Sequence, residues 1–353
     1  MARQTELLRG PDEFEICLHR KRRARVLETS EGNLKFDEYR NTESTELTKS
    51  FVPFVPLVFQ RFLSLSRRKE EPKPSCAFMH VVRNQREFAE FERKFASEQR
   101  AQRKFEEFLW DHRPEFTMQG FCAGCQTVVP LKVDLKWGNG VTPNWRERLE
   151  CPCGLNNRIR GAFDFLAELT YRTRRPRLYA TEQVTAFFRE LKKRHPSAIG
   201  SEFLRDNTTR GNTNKAGIRH EDITALTFRD RSFDVVLSFD VLEHVPDFRA
   251  AFRELARVLV PGGHLLASFP FDSHFEKTQI RASIGIDGSI SHHLPAEYHG
   301  DPVDGAGCLC FQVYGWDVLE ELKQAGFRDA WTVHYWSAER GYLGGQLLFI
   351  ARK

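Results

Sequence analysis

The sequence predicts an α/β fold built on a mostly parallel sheet, and three observations carry that prediction. Phe233–Phe239 and His264–Phe269 are apolar runs that do not alternate with polar residues, which suits strands covered on both faces. Between them Phe248, Ala251, Phe252, Leu255 and Leu259 recur at helical spacing, so strand, helix and strand read as a crossover unit. Asp247 is placed to cap the helix start, and Pro261-Gly262-Gly263 to end it. Acidic residues and a histidine then collect where the strands stop: Asp222 after the short run Gly217–Arg219, and Asp240, Glu243 and His244 after the strong strand. In open α/β sheets ligands sit beyond the carboxyl ends of the strands.

The 353 residues leave room for more than one domain. Three regions are expected: 1–115, partly flexible; 116–160, a small cysteine-bearing segment; and 161–353, the sheet domain. The basic run His19–Arg25 reads as a solvated face. Phe51–Leu65 is apolar but broken by Pro53 and Pro56, so it is expected to pack on the protein rather than form one amphipathic helix. A single long helix is expected over 83–111, with Phe88, Phe91, Phe95, Phe105, Phe108 and Leu109 as an intermittent apolar stripe; packing on its own domain and homodimerisation both remain open.

Cys122-Ala-Gly-Cys125 and Cys151-Pro-Cys153 each place two thiols on a tight turn. Two such turns complete a tetrahedral four-sulfur site, and zinc in a structural role is the expected occupant, since four thiolates leave no open position. The other four of the eight cysteines are scattered, so no disulfide framework is expected. The net charge of +5 argues against general polyanion binding. No apolar run approaches the roughly 20 residues of a membrane span. Met1–Ile16 lacks an apolar core segment, and a cytoplasmic, reducing setting is expected.

The order Asp222, Leu226-Thr227-Phe228, Ser232-Phe233-Asp234, Val241-Leu-Glu-His-Val245 and Arg257-Val-Leu-Val-Pro-Gly-Gly263 resembles the class I S-adenosylmethionine-dependent methyltransferases of the type 11 group. The resemblance implies a Rossmann-like sheet of seven strands, mostly parallel, with an antiparallel last strand and the last two strands forming the sheet edge. It also implies S-adenosylmethionine as cofactor. The chain departs from most of that family after its first strand (176–181), where Thr181-Glu182-Gln183 replaces a glycine-rich loop; it resembles a subset carrying the same three residues and a zinc-ribbon-like segment ahead of the sheet. A helix over 182–193 is expected to begin there, capped by Thr181, with its free amides toward the cofactor's carboxylate.

Cofactor contacts are therefore expected from Thr181, Glu182, Gln183, Glu202, Asp222, Ile223 and Asp240. Glu202 ends the second strand and suits the ribose hydroxyls, Asp222 the adenine amino group, and Ile223 the ring face. His244, beyond the strong strand, is the expected base for a hydroxyl acceptor, with Glu243 beside it. His299 and Asp301, in the glycine-containing stretch 272–307, are substrate-loop residues by the same resemblance. The reading that follows is a methyltransferase acting on a small-molecule or glycan acceptor at oxygen. Two others stay open: an RNA methyltransferase using Arg146, Arg148, Arg158 and Arg160 as a basic patch, and a non-catalytic binding protein that kept the fold.

Overall fold

The computed structural model describes residues 13–17, 23–28, 34–39, 79–300, 303, 305 and 307–353. The stretch 51–65, residues 19–22 of the basic run, and Asp301 lie outside them. The chain divides into two compact units, Met1–Phe78 with Phe95–Asp111, and Met79–Lys94 with His112–Lys353. The first holds an antiparallel sheet of β1 (Glu13–Cys17), β2 (Arg23–Glu28) and β3 (Leu34–Tyr39). The helix expected over 83–111 is instead two, α1 (Gln85–Lys94) and α2 (Ala96–Trp110). The break falls at Phe95, whose φ of −111° and ψ of 24° interrupt the helical hydrogen-bond run. Only α1 belongs to the second unit.

The second unit contains β4 (Met79–Val82), β5 (Glu115–Cys122), β6 (Thr127–Asp134), α3 (Asn157–Thr170), β7 (Leu178–Ala180), α4 (Ala186–Arg194), β8 (Ile199–Gly200), β9 (Phe233–Phe239), α5 (Phe248–Val258) and β10 (Leu259–Ser268). Short strands β11 (Gln279–Ile280), β12 (Ala282–Ile284), β13 (Ile290–His292), β14 (Tyr298–His299), β15 (Cys308–Leu309) and β16 (Gln312–Val313) follow, then α6 (Val318–Gln324), β17 (Asp329–Ser337) and β18 (Tyr342–Arg352).

Seven strands form the central sheet in the order β4-β17-β18-β10-β9-β7-β8. Strands β8, β7, β9 and β10 run parallel, and β18, the last strand of the chain, lies antiparallel to β10. This is the Rossmann-like sheet expected from the sequence, with one correction. The pair β17–β18 is not the sheet edge, because β4 pairs antiparallel with β17 through Thr332↔Val82 to Tyr335↔Met79. An exposed edge strand invites pairing, and β4 supplies it from the same chain. Phe91 of α1 holds this addition down, its ring 4.6 Å from His80 on β4 and 4.7 Å from His334 on β17. Beyond β8, the short run before Asp222 contributes only a bridge, Glu202↔His220.

The crossover between β9 and β10 is as its pattern dictates. Phe248, Ala251, Phe252, Leu255 and Val258 of α5 are buried, and Asp247 caps it by accepting from the Ala250 amide at 2.9 Å. The helix ends at Val258 rather than at Pro261-Gly262-Gly263. Leu259 is already extended and pairs with Phe233, so the Pro-Gly-Gly lies within a bulged start of β10. Tyr314, fully buried, lies edge-on to Phe248 and close to Phe269, which stacks on Phe349 of β18.

Candidate functional site: strand tips, sulfur cluster and a histidine pair

The cysteines come together. The hairpin β5–β6 turns at Cys122–Cys125, with the Gln126 amide donating to the Cys122 carbonyl at 2.7 Å. The second pair sits on a turn closed by Gly154, whose φ of +90° a side chain rarely adopts, and whose amide reaches the Cys151 carbonyl at 2.8 Å. Cys122 and Cys153 sulfurs lie 4.0 Å apart, and those of Cys125 and Cys151 3.5 Å. All four ligand atoms lie within 4.8 Å of one another. A disulfide needs about 2.05 Å, whereas a tetrahedral set at bond lengths of about 2.3 Å puts sulfurs roughly 3.8 Å apart. Crowding separates the thiols electrostatically: burial first, then neighbouring sulfurs, pushes Cys125 up to about 12, while hydrogen bonds, that to Cys122 foremost, pull Cys153 down. The four sulfurs are thus placed as a set that could hold a cation. Arg160, wholly buried, donates to the carbonyls of Leu149, Phe121, Arg340 and Gly341 and ties this segment to the β17–β18 turn.

At the sheet, Glu182, Glu202, Asp222 and Asp240 follow β7, β8, the bridge and β9 respectively. The loop that lacks glycine is pinned by Glu202, whose Oε1 accepts from the amides of Gln183 at 2.6 Å and Val184 at 2.9 Å. Those amides are thus engaged within the protein, and α4 starts later than expected. Its cap is Thr185, which accepts from Phe188 N, not Thr181, whose hydroxyl donates to Ser238. Gln183 spans to the third strand tip, donating to the Gly217 carbonyl and accepting from the Arg219 amide. Asp222 folds back on Thr224, accepting from its amide at 2.8 Å and its hydroxyl at 2.6 Å. Ile223 is buried in the core beside Tyr179 and Leu226.

Glu182 and Asp240 have opposite electrostatics. Glu182 is buried, and its Oε1 has no hydrogen-bond partner among the described residues. Burial raises its carboxyl to about 8, with the Glu202 charge adding to this. It lines a cavity of about 230 Å³ with Arg158, Asn156, Thr185 and Phe239, smaller than a typical whole-ligand site. Asp240, at φ of +52°, is gripped by Arg146 at 2.8 Å, Arg158 at 2.6 Å and the Ser268 hydroxyl at 3.1 Å. Burial opposes its charge, but Arg158 and then Arg146 hold the carboxyl down to about 2. Both arginines come from the cysteine-bearing segment or the helix after it. The sequence singled them out as a basic patch; instead Arg148, Arg158 and Arg160 are buried and no such patch is presented. Nothing in the residue pattern signalled Asp240 as their partner.

Glu243, His244 and His299 also converge, although 55 positions separate the two histidines (299 − 244). The Leu242–His244 turn brings up the first pair, and β14, paired with β15, lays His299 over it. Glu243 Oε1 is 3.7 Å from His244 Nε2 and 3.6 Å from His299 Nδ1. The outer nitrogens are held as well: His244 Nδ1 donates to the Leu309 carbonyl at 2.9 Å, and His299 Nε2 lies 3.1 Å from Glu297 Oε1. Glu243 is fully buried, and neither oxygen accepts a hydrogen bond from the described residues. Burial raises its carboxyl, and the facing Glu243 raises His299 to about 9. Glu297 and the Leu309 carbonyl were not foreseen; only the proximity of Glu297 to His299 in the chain hinted at the former.

Residues 183–267 match the family described as methyltransferase domain. Over 163 residues the chain is 28% identical to a demethylmenaquinone methyltransferase of Mycobacterium marinum, covering 44% of this chain and 65% of that protein. It is 27% identical over 131 residues to a sterol 24-C-methyltransferase of Aspergillus fumigatus, covering 35% and 33% respectively. The chain therefore spans between a third and two thirds of these relatives. Among solved structures, an S-adenosylmethionine-dependent methyltransferase from Mesorhizobium loti aligns with a TM-score of 0.31 at 18% identity, over 53% of this chain and 96% of that one; a likeness of that size carries no argument. Residues 183–267 are thus similar to a methyltransferase domain, and they lie in the part of the chain that forms the Rossmann-like sheet.

Proposed function

We propose that the protein transfers a methyl group from S-adenosylmethionine to a hydroxyl of a small-molecule or glycan acceptor. The observation that carries this is the row of carboxylates at neighbouring strand tips, Glu202 and Asp222 within the segment that matches the methyltransferase domain and Glu182 directly before it. When bound, the cofactor supplies an electrophilic sulfonium methyl. Glu202 suits ribose hydroxyls and Asp222 the adenine amino group. The buried, unpartnered Glu182 Oε1 suits a cationic amino group, which would answer the cost of leaving that oxygen unsatisfied. Much of the rate gain in such a displacement comes from alignment, worth up to about 7–11 kcal/mol in favourable cases. Glu243 and His244, just past β9, stand where an acceptor's proton must be managed.

The four-cysteine cluster is proposed to hold structural zinc. A non-catalytic reading draws its support from Asp240, which two arginines occupy fully. Calorimetry separates the two: uptake of S-adenosylmethionine by the wild type, reduced at least tenfold in Glu202→Ala, is expected. No uptake at millimolar cofactor overturns the catalytic reading. With uptake established, His244→Ala is expected to keep cofactor binding and lose most turnover.

A further inference from the structure

We propose that Glu243, His244 and His299 hold a divalent transition-metal ion. Neither imidazole is oriented by chance. His244 Nδ1 faces a carbonyl, which can only accept, so Nδ1 carries the proton and Nε2 presents a lone pair inward. His299 faces the Glu297 carboxylate through Nε2, so in its neutral form with the proton on Nε2 its Nδ1 presents a lone pair inward. Both histidines thus donate outward to a carbonyl or carboxylate and accept inward, as metal-bound imidazoles do. Between them stands Glu243, an acceptor-only carboxylate with both oxygens buried and unpartnered.

With both imidazoles neutral, three acceptor atoms therefore converge within 4.8 Å of one another. The separations of 3.6 and 3.7 Å are too long for hydrogen bonds. They suit adjacent ligands of one ion at bond lengths of about 2.0–2.1 Å, which stand roughly 3.3–4.2 Å apart. Two imidazoles and one carboxylate favour zinc, iron, cobalt or nickel over magnesium or calcium, and leave coordination positions open. This cluster is chemically distinct from the four sulfurs, which close their own site.

The ion's part in catalysis rests on the methyl-transfer reading; its binding does not. An acceptor hydroxyl on an open position would lose its proton to solvent more readily. Its oxygen then forms the new O–C bond as the C–S bond opens, the bonding pair staying on sulfur.

The test uses the full chain, stripped with chelator and reloaded with zinc, with bound metal counted by atomic emission. His299→Ala and His244→Gln are each expected to bind one ion fewer than wild type, with circular dichroism unchanged; Cys151→Ser should lose a different ion. His299 is part-exposed on the short strand β14, so its variant should fold. With cobalt, His299→Ala should keep the thiolate charge-transfer band and lose the absorption of a nitrogen–oxygen set. Wild-type metal content in both histidine variants overturns the proposal, as does NMR showing His299 doubly protonated in excess zinc. Metal binding without turnover on any hydroxyl acceptor leaves the site standing and removes the methyl-transfer reading; cofactor uptake with unchanged metal content does the reverse.

Discussion

Glu182 and Asp240 show how a few ångströms decide the state of a carboxyl. Asp240 faces two guanidinium groups and stays ionised; Glu182 has none close enough to offset burial, and its carboxyl rises to about 8. The stability consequence of Glu182 has a definite sign. Its folded value lies above the ordinary 4.5, so the folded state binds more protons between those values. Stability contributed there falls as pH rises from about 4.5 through about 8. Glu182→Gln should flatten that fall and stabilise the chain above pH 8, read from urea midpoints across pH. Asp240 behaves oppositely, its contribution being lost only as pH falls toward 2. Arg158→Ala leaves that carboxylate with one of its two guanidinium partners in a buried setting and should cost about 3 kcal/mol in chemical denaturation. Adding Asp240→Asn should restore part of it.

Elements behave according to how much of their partner lies nearby in the chain. The β9–α5–β10 unit was legible because its apolar spacing, cap and strand composition all point to one structure. Phe252 sits fully buried in α5, and Phe252→Ala should cost about 3–5 kcal/mol. Helix starts were less legible. Thr181 and Thr185 are both suitable caps, and the choice fell to Thr185 because the Gln183 and Val184 amides are drawn to Glu202. With zinc in place as proposed, the cysteine segment is expected to depend on its sulfurs to stay folded. Removing the proposed zinc, or Cys151→Ser, should loosen the β5–β6 hairpin while β9 and β10 keep their amide protection, measured by hydrogen exchange.

At the scale of the whole chain, β4 closes an edge that the chain's own last strands leave open. Val82 is 1% exposed against β17. Val82→Ala should cost about 2 kcal/mol, and removal of β4 should favour self-association, seen by size-exclusion chromatography. Among the described residues no helix is long and apolar enough to cross a membrane. Sequence alone determined the sheet, its central crossover, the paired cysteines and the acidic strand tips, because strand burial, helical spacing and turn chemistry are written within a few residues of one another. Only the tertiary structure decided which groups share charge and ligands: Arg146 and Arg158 on Asp240, Glu202 on the loop beside it, His299 on Glu243, Val82 on the sheet edge. Each of those pairings joins positions many residues apart, where local periodicity carries no information and three-dimensional proximity alone selects the partner.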